Sequence, residues 1–543
     1  MSLWSVLVLA GIVVGCILAS RSLIHFFQLE SYQFPGYFRT LKRNLVRNIL
    51  PGFLMNVAFC LFGALLVFMI PEVQENQSLD KFFILRIVIM SVLMVLTGLG
   101  IRFLFKNKKA KKPMVYTPRI KRLYAVSVVV YSLVLFLLVS IGIHGNSIFE
   151  ILPSILFPLF LPLWVALSGL LAWPIEKLIS ELYFRDARRM LRSRPDLIKI
   201  GITGSWGKTS VKFILGTLLQ EKYHTLVTPA SFNTPMGVTK VIRTMLEPGH
   251  RVFVAEMGAR HVGDIKEMCR LVEPTYGIIT SVGPQHLDTF HHIENVKKTK
   301  YELMDAVPAD GACFFGDDAG ICRDLYVQTK KEKYLAGTQK GLDDVWAEDI
   351  QVSPSGSSFW LCKGEERYLC KTKLLGELNI RNITLAASVC LKLGLTMKQI
   401  AHGISRIEPV EHRLQLISRP GRMTVIDDAF NSNIRGAKAA MEVLKNFPER
   451  RIVVTPGMVE LGKEEKQLNR ELGEKIAECV DVAILVGQKH TEPIREGILS
   501  KGFPEDKIHT VRSLNEAIEL LNAITTPADT VLFENDLPDN YSE

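Results

Sequence analysis

Hydrophobic positions along the chain follow two regimes. Up to about residue 175 they form long unbroken runs, and from Pro195 onward they form short runs that alternate with amphipathic stretches. Five of the long runs, Leu3–Ser20, Leu50–Ile70, Phe83–Phe105, Leu123–Ile143 and Phe149–Trp173, have the length and apolarity of membrane-spanning helices. Among the short runs, Leu197–Thr203, Arg251–Glu256, Tyr276–Val282 and Ala312–Phe315 predict one series of strands. Met423–Asp427, Arg451–Thr455, Val482–Val486 and Thr530–Phe533 predict a second, with helical patterns such as Ile434–Leu444 and Glu464–Cys479 between them. Strands that alternate with helices predict parallel sheets. A polar, proline-containing joint near Glu408–Pro420 separates the two series. The expected architecture is an α-helical membrane region of about five spans over residues 1–175, followed by α/β structure: a P-loop-type central ATPase domain over 176–415 and a Rossmann-like C-terminal domain over 416–543.

Composition sharpens this picture. Hydrophobic content of 48% and a mean hydropathy of +0.19 are high for a soluble enzyme, and the excess lies in the first 175 residues. Arg21, Arg39, Lys42, Arg43 and Arg47 lie between the first two runs, and Lys106, Lys108, Lys109, Lys111, Lys112, Arg119, Lys121 and Arg122 between the third and fourth. The second-to-third connection has only Lys81 against Glu72, Glu75 and Asp80, and the fourth-to-fifth has no Lys or Arg. Basic loops stay on the cytoplasmic side, so the N-terminus is expected outside and everything after Trp173 inside. No Lys or Arg precedes the first run, which therefore reads as an uncleaved anchor. The net charge of +10 is explained by these juxtamembrane lysines and arginines, and no nucleic-acid motif accompanies it. Pro153, Pro158 and Pro162 in the fifth run suggest a kink, while the near absence of ionisable groups inside the runs reads as anchor more than transporter. The nine cysteines contain no C-x-x-C pair and indicate neither a zinc site nor a disulfide framework.

The chemistry begins at Lys199-Ile-Gly-Ile-Thr-Gly-Ser-Trp-Gly-Lys-Thr-Ser210. An apolar strand enters a glycine turn, and Lys208-Thr209-Ser210 open an amphipathic helix. Gly204 and Gly207 let backbone N–H groups face a phosphate, the helix N-terminus adds partial positive charge, and Lys208 adds a full one. Thr209 can offer its hydroxyl to a phosphate-bound Mg²⁺. The loop is shorter than the common P-loop, which places a glycine where this chain has Ile202. These features predict ATP binding. Glu256 and His286 follow other strands of the same series, where doubly wound folds gather ligands. Either would suit Mg²⁺ or its waters, and either would equally serve as a surface carboxylate or a turn histidine.

Taken together, nine ordered segments resemble the Mur ligase family, and within it the MurF type that adds D-alanyl-D-alanine to the peptidoglycan stem peptide. They are Gly201–Ser210, Ser231–Val238, Glu256–Ile265, Gly283–Leu287, Lys300–Leu303, Leu374–Asn382, Glu411–Leu414, Asp427–Asn433 and Pro456–Gly462. The resemblance implies an ATP-dependent, ADP-forming carboxylate–amine ligase with an acyl-phosphate intermediate. It implies that Lys208 holds the β/γ-phosphates, that Thr209 with Glu256 holds one Mg²⁺, and that His286 helps hold a second. Lys300 is similar to the lysine that family members carbamylate with CO₂. Asn382 is expected near adenine, Arg413 at the γ-phosphate, and Asp427 or Asp428 at the ribose.

Three departures shape the expectation. A membrane region stands where MurF-type enzymes carry the domain that grips a uridine-linked sugar, so a small-molecule or a lipid-linked carboxylate acceptor is open, joined to an amino acid or dipeptide amine. Phe315 and Leu378 stand where the family usually has Asn and His. The acidic Phe533–Asn540 replaces a basic, serine-containing loop. Two competing readings are a poly-γ-glutamate-synthase-like ligase, and a membrane scaffold or transporter with a regulatory ATP domain.

Overall fold

The protein is described as a computed structural model over residues 3–30, 32–43, 45–69, 79–106, 113–144, 155–230, 232–285, 287–318, 320–417, 421–429, 433–459, 461 and 464–536. It divides into two compact units, Met1–Glu181 and Leu182–Glu543.

The first unit is helical. Among the described residues three helices are long and apolar enough to cross a membrane, Leu45–Ala64, Pro118–Ile141 and Phe157–Arg192, and a bent pair brings the number to as many as four. This differs from the five expected spans. The first expected span is a helix over Leu3–Ala19 that turns by 43° into Arg21–Leu29. At the bend the Ser20 hydroxyl donates back to Cys16 O at 2.7 Å, beside the Ser20 N bond to the same carbonyl, and meets Tyr131 Oη at 2.9 Å. The third expected span lies in a helix over Leu79–Leu104, whose described apolar part is the shorter Val88–Leu104. Pro153 lies outside the described residues. Pro158 sits in a single 3₁₀ turn, Phe157–Phe160, just before the helix Leu161–Arg192, so the expected kink is a helix start. Helices Leu3–Ala19 and Leu79–Leu104 approach through small residues: a Cβ on Gly98 would lie 2.3 Å from Gly15 O.

The second unit contains two mixed sheets. The first has nine strands in the order β2-β3-β1-β4-β5-β6-β7-β8-β9. These are β1 (Ile198–Thr203), β2 (Thr225–Val227), β3 (Val252–Glu256), β4 (Tyr276–Ile279), β5 (Ala312–Gly316), β6 (Lys333–Gly337), β7 (Val345–Ser353), β8 (Gly356–Lys363) and β9 (Glu366–Thr372). Pairing is parallel from β2 through β7 and antiparallel from β7 to β9. Consecutive residues face opposite sides, as a pleated strand requires. Val252, Val254 and Phe314 pack with helices Lys208–Leu219 and Glu377–Lys392, whereas Phe253, Ala255 and Phe315 pack with Pro235–Met245, Asp264–Val272 and Ile293–Ala306. Burial on both faces explains why the central strands read as continuous apolar runs.

The second sheet has six strands in the order β10-β11-β15-β12-β13-β14. They are β10 (Gln415–Ile417), β11 (Thr424–Asp428), β12 (Arg451–Thr455), β13 (Val482–Val486), β14 (Ile508–Val511) and β15 (Thr530–Glu534). All pairs are parallel except β10 with β11. The expectation of purely parallel sheets is thus corrected in both. Short turns close the antiparallel pairs β7–β8 and β8–β9, and short connections favour antiparallel return over crossover.

Candidate active site

The turn after β1 is shaped by the loop after β4. Ser205 N donates to Ser281 O at 2.8 Å, and the Ser205 hydroxyl donates to Gly283 O at 2.9 Å while accepting from Gly283 N at 3.0 Å. Thr280 and Ser281 hydroxyls both donate to Trp206 O. Gly204 at φ +152° and Gly207 at φ +80° occupy backbone conformations that favour glycine. A Cβ at Gly204 would lie 2.0 Å from Thr280 Oγ1, and one at Gly207 2.9 Å from Asn382 Oδ1. Asn382 therefore stands directly against the turn. The Trp206 ring closes over Gly283, where a Cβ would lie 2.0 Å from Cη2. Gly283→Ala is expected to force that ring or the loop to shift, at a cost of about 1–3 kcal/mol, read as a lowered Tm.

Helix Lys208–Leu219 starts at Gly207, so its unpaired N–H groups point into the turn. Lys208 is half-buried, and its ammonium donates to Gly204 O at 2.6 Å and Ser205 O at 3.1 Å, folded over the loop it springs from. Burial lowers its pKa to about 8, with Glu256 raising it and Arg413 lowering it further. Ser210 lines a small cleft with Phe213, Leu374, Asn379, Glu408 and Arg413.

Glu256 ends β3 and is 1% exposed. Its oxygens accept from the Thr209 hydroxyl, at 3.1 Å each, and from Asn233 Nδ2 at 3.2 Å. A third partner, Lys212 Nζ at 2.9 Å from Oε2, was not anticipated. The signal was present: a lysine among Val211, Phe213, Ile214 and Leu215 on an apolar helix needs an acid beside it. Thr209 and Glu256 are hard oxygen donors of the kind Mg²⁺ takes, and the helix that begins at Gly207 leaves its first N–H groups without intrahelical partners, so both a phosphate and Mg²⁺ fit the residues present.

Lys300, on helix Ile293–Ala306, is 2% exposed. Burial pushes its amine well below the ordinary lysine range, and the Lys208 ammonium pushes it further. Among the described residues nothing accepts a hydrogen bond from it. His286 lies outside the described residues.

Arg413 is half-buried on the same cleft as Ser210 and faces the carboxylates of Asp428, Glu256 and Glu534. It sits between His412 at φ +58° and Leu414 at φ +46°. His412 Nδ1 bonds Asp427 Oδ2 at 2.7 Å, and Leu414 N donates to Asp428 Oδ1 at 3.1 Å. Asp428 faces Glu534 across the β11–β15 register. Burial, partly offset by Arg413, raises the Asp428 pKa from 3.8 to about 6. A carboxyl raised on folding contributes stability that is present below the unfolded value and lost as pH rises through the folded one. Melting temperature is therefore expected to fall between pH 4 and 6 through this group, and Asp428→Asn to flatten that slope.

The structure thus brings Gly204, Gly207, Lys208, Thr209, Ser210, Glu256, Lys300, Asn382 and Arg413 toward one turn, with Asp427 and Asp428 on the second sheet beside Arg413. Two family models match the same region: the Mur ligase middle domain over residues 202–390, and the Mur ligase glutamate ligase domain over 412–534. The chain belongs to the Mur ligase family. Its members are ATP-dependent, ADP-forming amide ligases, and so is this chain.

Among its Mur ligase relatives, the UDP-N-acetylmuramoyl-tripeptide–D-alanyl-D-alanine ligase of Bacillus subtilis is 27% identical over 339 residues, 62% of this chain and 72% of that one. The enzyme of the same name from Escherichia coli is 27% identical over 322 residues, 59% and 71% of the two chains. The crystal structure of MurF from Acinetobacter baumannii superposes with a TM-score of 0.58 at 24% identity, covering 67% of this chain and 78% of that chain. MurF ligase from Thermotoga maritima, in complex with ADP, gives 0.59 at 23% identity, covering 66% and 80%. These structural likenesses show a shared fold.

Proposed function

We propose that this chain is a membrane-anchored Mur ligase that activates a carboxylate with ATP and joins it to an amine in the synthesis of peptidoglycan or a related envelope polymer. The observation that carries the reading is the convergence on one glycine turn of a half-buried Lys208, the Thr209–Glu256 pair, a buried Lys300 and Arg413. The named relatives support the D-alanyl-D-alanine type of reaction.

A carboxylate is a poor electrophile, and transfer of the terminal phosphoryl group of ATP makes it an acyl phosphate. An amine then attacks, the tetrahedral adduct collapses, and an amide, ADP and phosphate leave. Lys208, released from the loop carbonyls, would bridge the phosphates, and the turn's N–H groups would take the phosphate oxygens. Thr209 and Glu256 would hold Mg²⁺, with His286 and carbamylated Lys300 at a second ion. The ions supply charge neutralisation on the transferring phosphoryl group. A lysine held as free amine is the form that takes up CO₂, which is what burial of Lys300 favours. Arg413 would reach the γ-phosphate from the joint, and Asn382 and one of Asp427 and Asp428 would meet the nucleoside.

In this reading the apolar helices that precede the family match anchor the chain and suit a lipid-linked acceptor, and the basic connections put the catalytic domains in the cytoplasm with the N-terminus outside. Alkaline carbonate extraction is expected to leave the full chain in the membrane pellet, and release into the supernatant would defeat the anchor. The test of chemistry is incubation of detergent-solubilised protein with ATP and fractionated envelope precursors. The expected result is ADP release that needs both an acid and an amine, with a product heavier by the amine less water. AMP formation, or turnover indifferent to the amine, would overturn the reading.

A further inference from the structure

Lys212 lies one turn beyond Lys208 on the same helix and is completely buried. Its ammonium donates to Glu256 Oε2 at 2.9 Å and to Ala230 O at 2.6 Å. Glu256 is almost as enclosed, with Thr209 and Asn233 on its remaining lone pairs. A salt bridge shut away from water on both sides does not exchange partners freely, and separating it would leave a bare charge in a low-dielectric interior.

We propose that Lys212 is a positioning residue that withholds Glu256 from free divalent cations, so that Mg²⁺ enters this site only together with the nucleotide phosphates. The inference rests on the reading that Glu256 and Thr209 hold the ion. Its basis is charge and donor number. Alone, Glu256 would offer a buried negative charge to any passing dication. Paired with Lys212 it offers none, and Thr209 adds only a neutral hydroxyl. Mg²⁺ dehydrates reluctantly and is held by one or two carboxylates together with substrate phosphates. Among the described residues no group of three or more His, Cys, Asp or Glu side chains stands ready to replace those phosphates. The triphosphate brings the missing negative oxygens. Lys212 meanwhile pins Oε2, Asn233 holds Oε1, and the Thr209 hydroxyl meets both oxygens from the turn.

Mn²⁺ is a suitable probe, because its unbound fraction is read directly by electron paramagnetic resonance. The full-length, detergent-solubilised protein is titrated with Mn²⁺ alone and with Mn²⁺ plus a non-hydrolysable ATP analogue. The wild type is expected to take up Mn²⁺ only with the analogue. Lys212→Gln, which keeps a donor and removes the charge, is expected to bind Mn²⁺ alone at least about tenfold more tightly than wild type, since one unit charge at contact distance is worth that much even in a polar surrounding. Lys212→Met serves where Lys212→Gln does not fold. The double variant Lys212→Gln/Glu256→Gln is expected to lose the gain.

A purely structural lysine would not tighten metal binding when removed. Wild-type protein that binds Mn²⁺ equally with and without the analogue overturns the proposal, as does a charge-removing variant with no gain or a double variant that keeps it. Glu256→Gln separates the two levels. Should Mn²⁺ uptake with the analogue be indifferent to that substitution, Glu256 is no metal ligand and the functional reading itself falls.

Discussion

Lys208→Ala is expected to reduce ATP turnover by about 10³-fold, because a unit positive charge about 4 Å from a phosphate in a partly desolvated site contributes about 4 kcal/mol. The side chain already lies folded at the loop and needs only to exchange two carbonyl acceptors, Gly204 O and Ser205 O, for phosphate oxygens. That exchange replaces neutral acceptors with charged ones and is favourable. The variant also relieves Lys300 of a neighbouring ammonium, so its folded state is expected to survive. Steady-state ADP release with acid and amine present, checked against an unchanged melting curve, measures the effect. A loss of less than tenfold would remove Lys208 from the phosphate site.

The second large effect concerns Lys300. Lys300 is 2% exposed, and burial of its ammonium is costly and favours the free amine. Under the proposed function that amine would combine with CO₂, and the carbamate would carry the negative charge that Lys208 and a metal ion would balance. Lys300→Ala is expected to lower turnover by about 10²–10³-fold, the range for removing one electrostatic contact to the transition state. Partial recovery is expected on adding a small carboxylate such as acetate, which fits the vacated space. Protein equilibrated with ¹³C-bicarbonate should show a carbamate carbon resonance that the variant lacks. Wild-type protein without that resonance would leave Lys300 as a plain cation.

Much of this arrangement was legible because the strands around the site are buried on both faces and therefore read as apolar runs with chemistry at their ends. β1, β3, β5, β12 and β13 fall within a residue or so of their expected positions. β7, β8 and β9 were missed because β7 ends in alternating half-buried and exposed positions and β9 is mostly exposed, so this end of the sheet lacks the long apolar runs of the central strands. Their turns did carry a signal, since Ser353-Pro-Ser-Gly356 and Lys363-Gly-Glu-Glu366 are short and glycine-containing. The apolar runs near the N-terminus gave composition but not continuity: Ser20 bends one helix, and the turn at Phe157–Phe160 delays another. Lys212 was passed over for a different reason. Sequence alone does not say which face of a helix a charge occupies until its acid partner is located, and Glu256 lies 44 positions away.

The backbone on either side of Arg413 has a consequence for motion. Two side-chain-bearing residues, His412 and Leu414, sit in the left-handed region, each at a cost of about 1–3 kcal/mol. That cost is borne by the connection between the two sheets, and it is offset by the contacts of Asp427 and Asp428 with the same segment. Such a linkage behaves as a wound spring with a latch. The latch is the pair of neighbouring aspartates, and it keeps the guanidinium between two residues whose backbone would otherwise relax.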